Sequence, residues 1–511
     1  GKVRTHEYFE HVLLRERIIW VPLKGSLRIV VNSKPLKIQA EWEPVHDTTV
    51  RPNQVDTWFE EDLPKPPVKR PLTAGERAIM ALAATPATRS RYRNAWTLMD
   101  RIHDADDSGE RLFRYLRDNR PDINAWFVLE RGTPDWKRLE RDGYRSRMVP
   151  HGTRQWKLLM LNCVHLISTH ADAPVHRPPA IVRMIKPAWK FTFLQHGVIK
   201  DDLSRWLNPK GIDLFVTSTP QEQASIAGDE TPYAYTSKEA KMTGLPRFDR
   251  LREVGAEVPP ESRDLILVSP TWRSWLNPPL DVDSQRRGVY DAFFASEYVQ
   301  QWLAFLNDER LRDLTERTGT KVGFLPHPNI QPALSRMDLP PHVEAIAFAG
   351  NDVQQVMARA AVMVTDYSSM AFNAAYIDRP VVYFQFDAKL ALEGAHVGRP
   401  GYFEYERDGF GPVATVAADA VTAAIDAVTA DGKRPSPAYQ ARIDATFTER
   451  DGRCCERTTA AIEAMTPPTP KRSLPRRVAG RLARSPRVKR LARSRALRPV
   501  VESPKLRRML G

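Results

Sequence analysis

The chain has 511 residues, 42% of them hydrophobic, which is enough for two or three domains with filled cores. It carries 76 Lys and Arg against 62 Asp and Glu, a net charge of +14, and only three cysteines, too few for a disulfide framework or a zinc site and suited to a reducing compartment. No apolar run approaches a membrane span, and no secretory signal is visible at the start. The charge is unevenly placed. From Lys471 to Gly511 there are 15 basic residues and one acid, Glu502, again +14, so the body is neutral. A global basicity argument for nucleic-acid binding therefore fails.

Residues 1 to 75 hold strand-like pieces, RERIIWVPL, SLRIVVN and LKIQAEW, and end in the Pro-rich linker LPKPPVKRPL. This predicts a small β-rich module. From 76 the pattern alternates. Trp96 to Met99, Ala125 to Leu129, His165 to Thr169 and Phe191 to Leu194 predict strands, with helices opening in DADDSGERLFRYLRD and DWKRLERDG. The acids of the first of these stretches lack a complete Ca²⁺-loop pattern and predict a capped helix start. A second run follows: LILVSP, two helical stretches over 288 to 318, KVGFLPHP, EAIAFA, AVMVTD and PVVYFQF. Such βα alternation predicts two doubly wound Rossmann-like domains, 76 to 255 and 256 to 465, facing a cleft. Residues 466 to 511 form the basic tail.

Five polar clusters follow strand ends, where ligands sit in such sheets. They are FLQHGVIKDD with His196, TGLPRFDRL at 243 to 251, SPTWRSW at 269 to 275, LPHPN with His327, and AVMVTDYSSMAFNAAY. In the last, an apolar run stops at Asp366. Asp366, Ser368 and Ser369 are N-cap residue types ahead of a helix starting near Met370. A helix start offers free N–H groups and partial positive charge, and suits a phosphate. Two serines alone are more often a plain cap. A single His after a strand is usually structural. Two such His in opposite domains, with Arg and Ser clusters, point to one cleft site. No Cys or carboxylate stands at metal-ligand spacing beside either His, so no metal and no cofactor are expected.

QHG, GLPRFD, PTWR, PHP and TDYSSMAFNAAYIDRPVVYFQFD occur in that order. With them the chain, over roughly residues 95 to 465, resembles the CDP-glycerol glycerophosphotransferase family of teichoic acid primases and polymerases. The resemblance implies a GT-B type fold and transfer of an alditol phosphate from a CDP donor to a hydroxyl, releasing CMP. It implies His196 as base and His327 as partner of the pyrophosphate or leaving group. Gln195, Gly197, Arg247, Pro270, Thr271, Arg273, Pro328, Ser368, Ser369 and Asn373 would bind the donor. Two departures stand out. Members often read His-Gly-Thr-Pro-Leu-Lys where this chain has HGVIKD, and Asn373 replaces the family's acid. A CDP-ribitol donor or a capsule polymer is therefore an alternative, as is a nucleotide-sugar glycosyltransferase of the same fold.

The implied partners are CDP-glycerol, a lipid-linked acceptor and an anionic membrane surface, with no nucleic acid. In the tail, Leu474, Val478 and Leu482 recur every four residues alongside Arg477 and Arg481, and Pro486 interrupts the pattern. Short amphipathic helices of this kind suit peripheral attachment at the cytoplasmic face of the cell membrane. A solvated, disordered tail is the competing reading.

Overall fold

A computed structural model describes residues 4–5, 27–31, 34–38, 71–229, 231–277, 289–348, 350–391 and 399–465. Strands β1 (Arg4–Thr5), β2 (Leu27–Val31) and β3 (Lys34–Ile38) pair antiparallel in that order. The expected strand in RERIIWVPL and the basic tail lie outside the described residues.

The first large sheet comprises β4 (Trp96–Met99), β5 (Ala125–Leu129), β6 (Met148–Pro150), β7 (His165–Ser168), β8 (Lys190–Phe193), β9 (Leu214–Thr217) and β10 (Ala240–Met242). They are arranged 10-9-8-7-4-5-6, with every pair parallel. The second comprises β11 (Leu265–Val268), β12 (Lys321–Phe324), β13 (Val343–Ala345), β14 (Ala360–Thr365), β15 (Val381–Phe384) and β16 (Val413–Ala414). Their order is 13-12-11-14-15-16, again all parallel. Helices cover both sheets, so the central strands are buried and mostly apolar. Every residue of β4, β5, β11, β14 and β15 is buried. The two-domain α/β architecture expected from the alternation is the one observed.

The sheets are joined through the helix Arg247–Glu257, which packs on Ser108–Asn119 of the first domain and on Val353–Ala358 and Met370–Tyr376 of the second. The helix Cys454–Glu463, grouped with the second domain by sequence order, packs back on the first. Asp249 holds it there, accepting hydrogen bonds from the backbone N–H groups of Cys454 and Cys455 at 2.8 Å each. Gly244 makes that return possible. Its φ is +75°, and a Cβ there would stand 2.4 Å from Cys454 Sγ. The glycine and the aspartate of GLPRFD are thus spent on joining the domains. All three cysteines are buried, and none forms a disulfide among the described residues.

Candidate active site

His196 follows β8 directly, lifted out of the sheet by Gln195 at φ +66°. A non-glycine residue in the left-handed region is uncommon, and here packing holds it. The Gln195 side chain donates to the Val216 carbonyl. The buried Glu222 accepts from Ile199 N–H and Ser218 N–H at 2.7 Å each, which ties the loop after His196 to the end of β9. Burial pushes the Glu222 carboxyl up to about 7, against these hydrogen bonds.

The His196 ring is exposed at the junction of the two domains, yet densely surrounded. Its Nδ1–H donates to the Thr169 carbonyl at 3.3 Å, which leaves the Nε2 lone pair as a base. Its pKa is lowered, first by burial and then by Arg101, with Asp107 and the Thr169 carbonyl opposing. His170 stacks on it, centroids 4.6 Å apart and planes 14° from parallel. His170 Nε2 accepts from Arg101 Nε at 2.9 Å, so its proton is on Nδ1, 3.0 Å from Thr169 Oγ1. Burial, His196 and Arg101 hold the His170 pKa well below the ordinary value. Both imidazoles are therefore neutral at pH 7.

Across the junction stands the helix Met370–Tyr376, whose first flanking residue is Ser369. Gly197 touches it: a Cβ on Gly197 would lie 2.5 Å from Ser369 Oγ. Arg247 spans the same junction. It donates to the His196 carbonyl at 2.9 Å, to Asp107 at 3.2 Å and to Asn373 Oδ1 at 3.1 Å. Phe248 stacks on Tyr376 with centroids 4.3 Å apart. Three motifs distant in sequence, QHG, GLPRFD and DYSSMAFNAAY, meet at this point.

The remaining motifs build the second domain's side. Ser368 Oγ accepts from Met370 N–H at 3.2 Å. Asp366 accepts from Thr271 N–H at 2.8 Å and Tyr367 N–H at 2.6 Å. His327 N–H donates to the Pro270 carbonyl at 3.2 Å, and His327 Nδ1 accepts from Asn329 N–H at 3.2 Å, with Pro328 between them. The Trp272 ring lies 6.1 Å from that of His327. The Thr271 hydroxyl is buried without a hydrogen-bond partner among the described residues.

Arg273 is placed differently from the expectation that it meets donor charge. It is 1% exposed, and binds Asp366 at 2.8 Å, Asp387 at 2.7 and 3.0 Å and the Thr271 carbonyl at 2.8 Å. Tyr298 and Tyr367 flank its guanidinium at 4.9 and 5.0 Å. Burial alone would lower its pKa, but the two carboxylates outweigh burial and raise it. The physical reason is compensation: a charge this deep is held by its ion partners and has no face left for a ligand. The same network takes in Tyr367, which donates to Asp387 at 3.0 Å, and Gln385, which donates to the Asp366 carbonyl at 3.1 Å. PTWR, DYSS and QFD are thus one interior structure.

With this geometry in view, the known relatives are informative. A model of the family described as CDP-glycerol:poly(glycerophosphate) glycerophosphotransferase matches residues 87–464. The chain belongs to that family. The minor teichoic acid biosynthesis protein GgaB of Bacillus subtilis (strain 168) is 32% identical over 323 residues, 62% of this chain and 34% of that protein. The chain thus spans about a third of that relative's length. Among solved structures, the wall teichoic acid polymerase TagF is similar at a TM-score of 0.52 and 17% identity, covering 76% of this chain and 93% of that one. A variant of TagF soaked with CDPG is similar at a TM-score of 0.50 and 16% identity, covering 76% and 92%. These likenesses to TagF are of fold.

As a member of the glycerophosphotransferase family, the chain has features that its motifs did not disclose. Arg101 and His170 were not expected at the site. The signal for His170 was present, since it follows β7 as His196 follows β8. Arg101 gave none, because only the fold carries the end of β4 beside the end of β7. The acids of DADDSGER are engaged at a helix start, as expected: Asp107 accepts from Ser108 N–H at 2.7 Å and Glu110 from Asp106 N–H at 2.8 Å. Asp100, ahead of that stretch, accepts from Asp107, Gly109 and Glu110 N–H at 3.2, 2.7 and 3.1 Å. Among the described residues no helix is long and apolar enough to cross a membrane.

Proposed function

We propose that this chain transfers glycerol phosphate from CDP-glycerol to a hydroxyl of a lipid-linked acceptor or a growing poly(glycerol phosphate) chain, with release of CMP. The observation that carries this reading is the junction where a neutral His196, with Nε2 open, meets Ser369 and Arg247 from across the fold. The acceptor oxygen attacks the distal phosphorus of the donor and forms the new O–P bond. Its proton passes to His196 Nε2, and the bond to the CMP phosphate breaks. A base that is neutral at pH 7 is ready for that proton without prior ionisation. Arg247 lies beside the charge that develops on phosphorus oxygens, and the half-buried Ser368 and Ser369 offer hydroxyl donors.

The donor's nucleotide side falls to Pro270, Thr271, His327 and Pro328, with His327 donating toward the leaving phosphate. An unpaired buried hydroxyl costs about 1–3 kcal/mol, which a ligand bound to Thr271 would offset. Gln195 and Gly197 set the His196 loop, and Arg273 positions Asp366 and Thr271. Asn373 in place of an acid leaves Arg247 with more free charge, an observation that favours a donor or acceptor group different from the usual one. CDP-ribitol is the second reading on that ground. The basic tail would hold the chain to the cytoplasmic face of an anionic membrane, where a lipid-linked acceptor lies.

The test is CMP release and product length from CDP-glycerol and CDP-ribitol with a soluble lipid-acceptor analogue, for wild type and His196→Ala. The variant should fold and bind donor normally, and lose about a hundredfold or more in turnover. Near-normal turnover would remove His196 from the role of base.

A further inference from the structure

A second polar constellation lies at the opposite ends of the strands from the His196 junction. Arg91 precedes β4, Asn124 precedes β5 and Arg147 precedes β6. The guanidiniums of Arg91 and Arg147 both lie over the Trp126 ring, 5.2 and 5.0 Å from its centroid. Neutral groups hold them in place. Asn124 Oδ1 accepts from Trp126 Nε1 and from Arg147 Nη1 at 2.9 Å each. The Asn124 amide nitrogen donates to the carbonyls of Arg91 and Arg93 at 3.0 Å each. A cavity of about 510 Å³ opens here, with Ser90 and Ser146 exposed at its wall.

The positive charge of this cavity is uncompensated. No acid pairs with Arg91, Arg117 or Arg147 among the described residues. Asp122 lines the cavity, but Arg120 holds both its oxygens at 3.0 and 2.8 Å. Arg120 is in turn occupied by Glu463. Arg117 Nη1 is buried with no hydrogen-bond partner among the described residues. The Arg147 pKa is lowered, by burial and then by Arg117 and Arg91. Like charges crowded around fixed donor forks suit an anion with several oxygens. Trp126 is only 4% exposed and already faces two guanidiniums, so it has no open face on which a base would stack.

We propose that this cavity binds a phosphate group, as a phosphomonoester or phosphodiester, through Arg91 and Arg147 with Ser90 and Ser146 at its rim. The proposal does not depend on the transferase reading and concerns the face of the first domain away from that site. The phosphate has two possible sources, a lipid headgroup or a soluble phosphate compound.

The test reads occupancy at the site itself. The full chain is treated with phenylglyoxal, and modification of Arg91 and Arg147 is followed by peptide mass spectrometry. The probes are inorganic phosphate, a synthetic oligo(glycerol phosphate) and phosphatidylglycerol vesicles, with chloride at equal ionic strength and phosphatidylcholine vesicles as controls. Occupancy should slow modification of both arginines about tenfold, because charge-assisted bonds to phosphate hide the guanidinium. Protection by the soluble compounds supports a soluble source, and protection by phosphatidylglycerol alone supports a headgroup. Ser146→Glu puts a negative charge at the exposed rim without touching the core, and should abolish the protection. If no probe protects these arginines beyond the controls, or if Ser146→Glu leaves protection intact, the proposal is overturned.

Discussion

Gly197→Ala tests the closeness of the two domains at the junction. The added Cβ would stand 2.5 Å from Ser369 Oγ and 3.2 Å from Ser369 Cβ, where ordinary contact begins at 3.4 Å. The Gly197 backbone is not in the left-handed region, so alanine brings no backbone strain. The cost is the contact alone. The hydroxyl can rotate away, but that removes it from its position beside Gly197. The carbon cannot retreat without moving the helix Met370–Tyr376 or parting the domains. Overpacking of this kind costs about 1–3 kcal/mol. At about 1.4 kcal/mol per factor of ten, that is a fall of roughly five- to hundredfold in kcat/KM for CMP release. The decisive measurement is a cycle of wild type, Gly197→Ala, Ser369→Gly and the double variant. With Ser369→Gly as background, both clashing atoms are gone, and Gly197→Ala should cost less than about 0.5 kcal/mol. Thermal unfolding of the same four proteins should follow the same cycle, so the contact can be read without turnover. An alanine penalty equal in both backgrounds, or absent in the wild type, would refute the reasoning.

Arg101→Gln should shift the acid limb of the kcat/KM profile to higher pH. Arg101 disfavours the His196 imidazolium, so its removal raises the pKa through which activity is lost as pH falls; an unmoved limb would separate Arg101 from His196. Arg273→Ala should destabilise the second domain by about 3–5 kcal/mol, because Asp366 and Asp387 are left buried without a cationic partner. Arg273→Lys should recover little of this, since one ammonium cannot span both carboxylates, and denaturant unfolding of the variants checks both. Truncation after Pro470 should release the protein from anionic vesicles in a sedimentation assay while sparing turnover on a soluble acceptor. Equal vesicle binding by the truncated chain would discard the tail as anchor.

Much of the fold was legible because parallel strands buried on both faces appear as short apolar runs. β4 and β5 begin and end where the sequence suggested. β6, β10 and β16 are two or three residues long and carry too little pattern to be read. β9, LFVT, carries the same apolar signal as its neighbours. Among the candidate site residues, His196, His327 and the serines are the ones that strand-end position signals. What sequence cannot display is depth. Arg273 sits among Trp272, Ser274 and Trp275, and nothing local shows that Asp366 and Asp387, 93 and 114 residues on, will enclose it.

That depth explains why a buried strand ends in Asp-Tyr-Ser-Ser. Asp366 and Tyr367 point inward. The aspartate takes Thr271 N–H and Arg273, and the tyrosine takes Asp387. The next two residues emerge, half-buried, with Ser369 against Gly197. The first half of the motif fixes where the second half stands. A densely connected interior network of this kind is rigid, and rigidity is what a hydroxyl needs if it is to hold a phosphate in line for attack. The residues that make the motif recognisable are therefore largely those that hold the frame. The positions that the resemblance marks as departures, 198 to 201 after His196-Gly197 and Asn373 on the facing helix, border the junction itself. On this arrangement the surface at the junction can vary while the frame stays fixed, because the frame is built from one set of side chains and the contact surface from another.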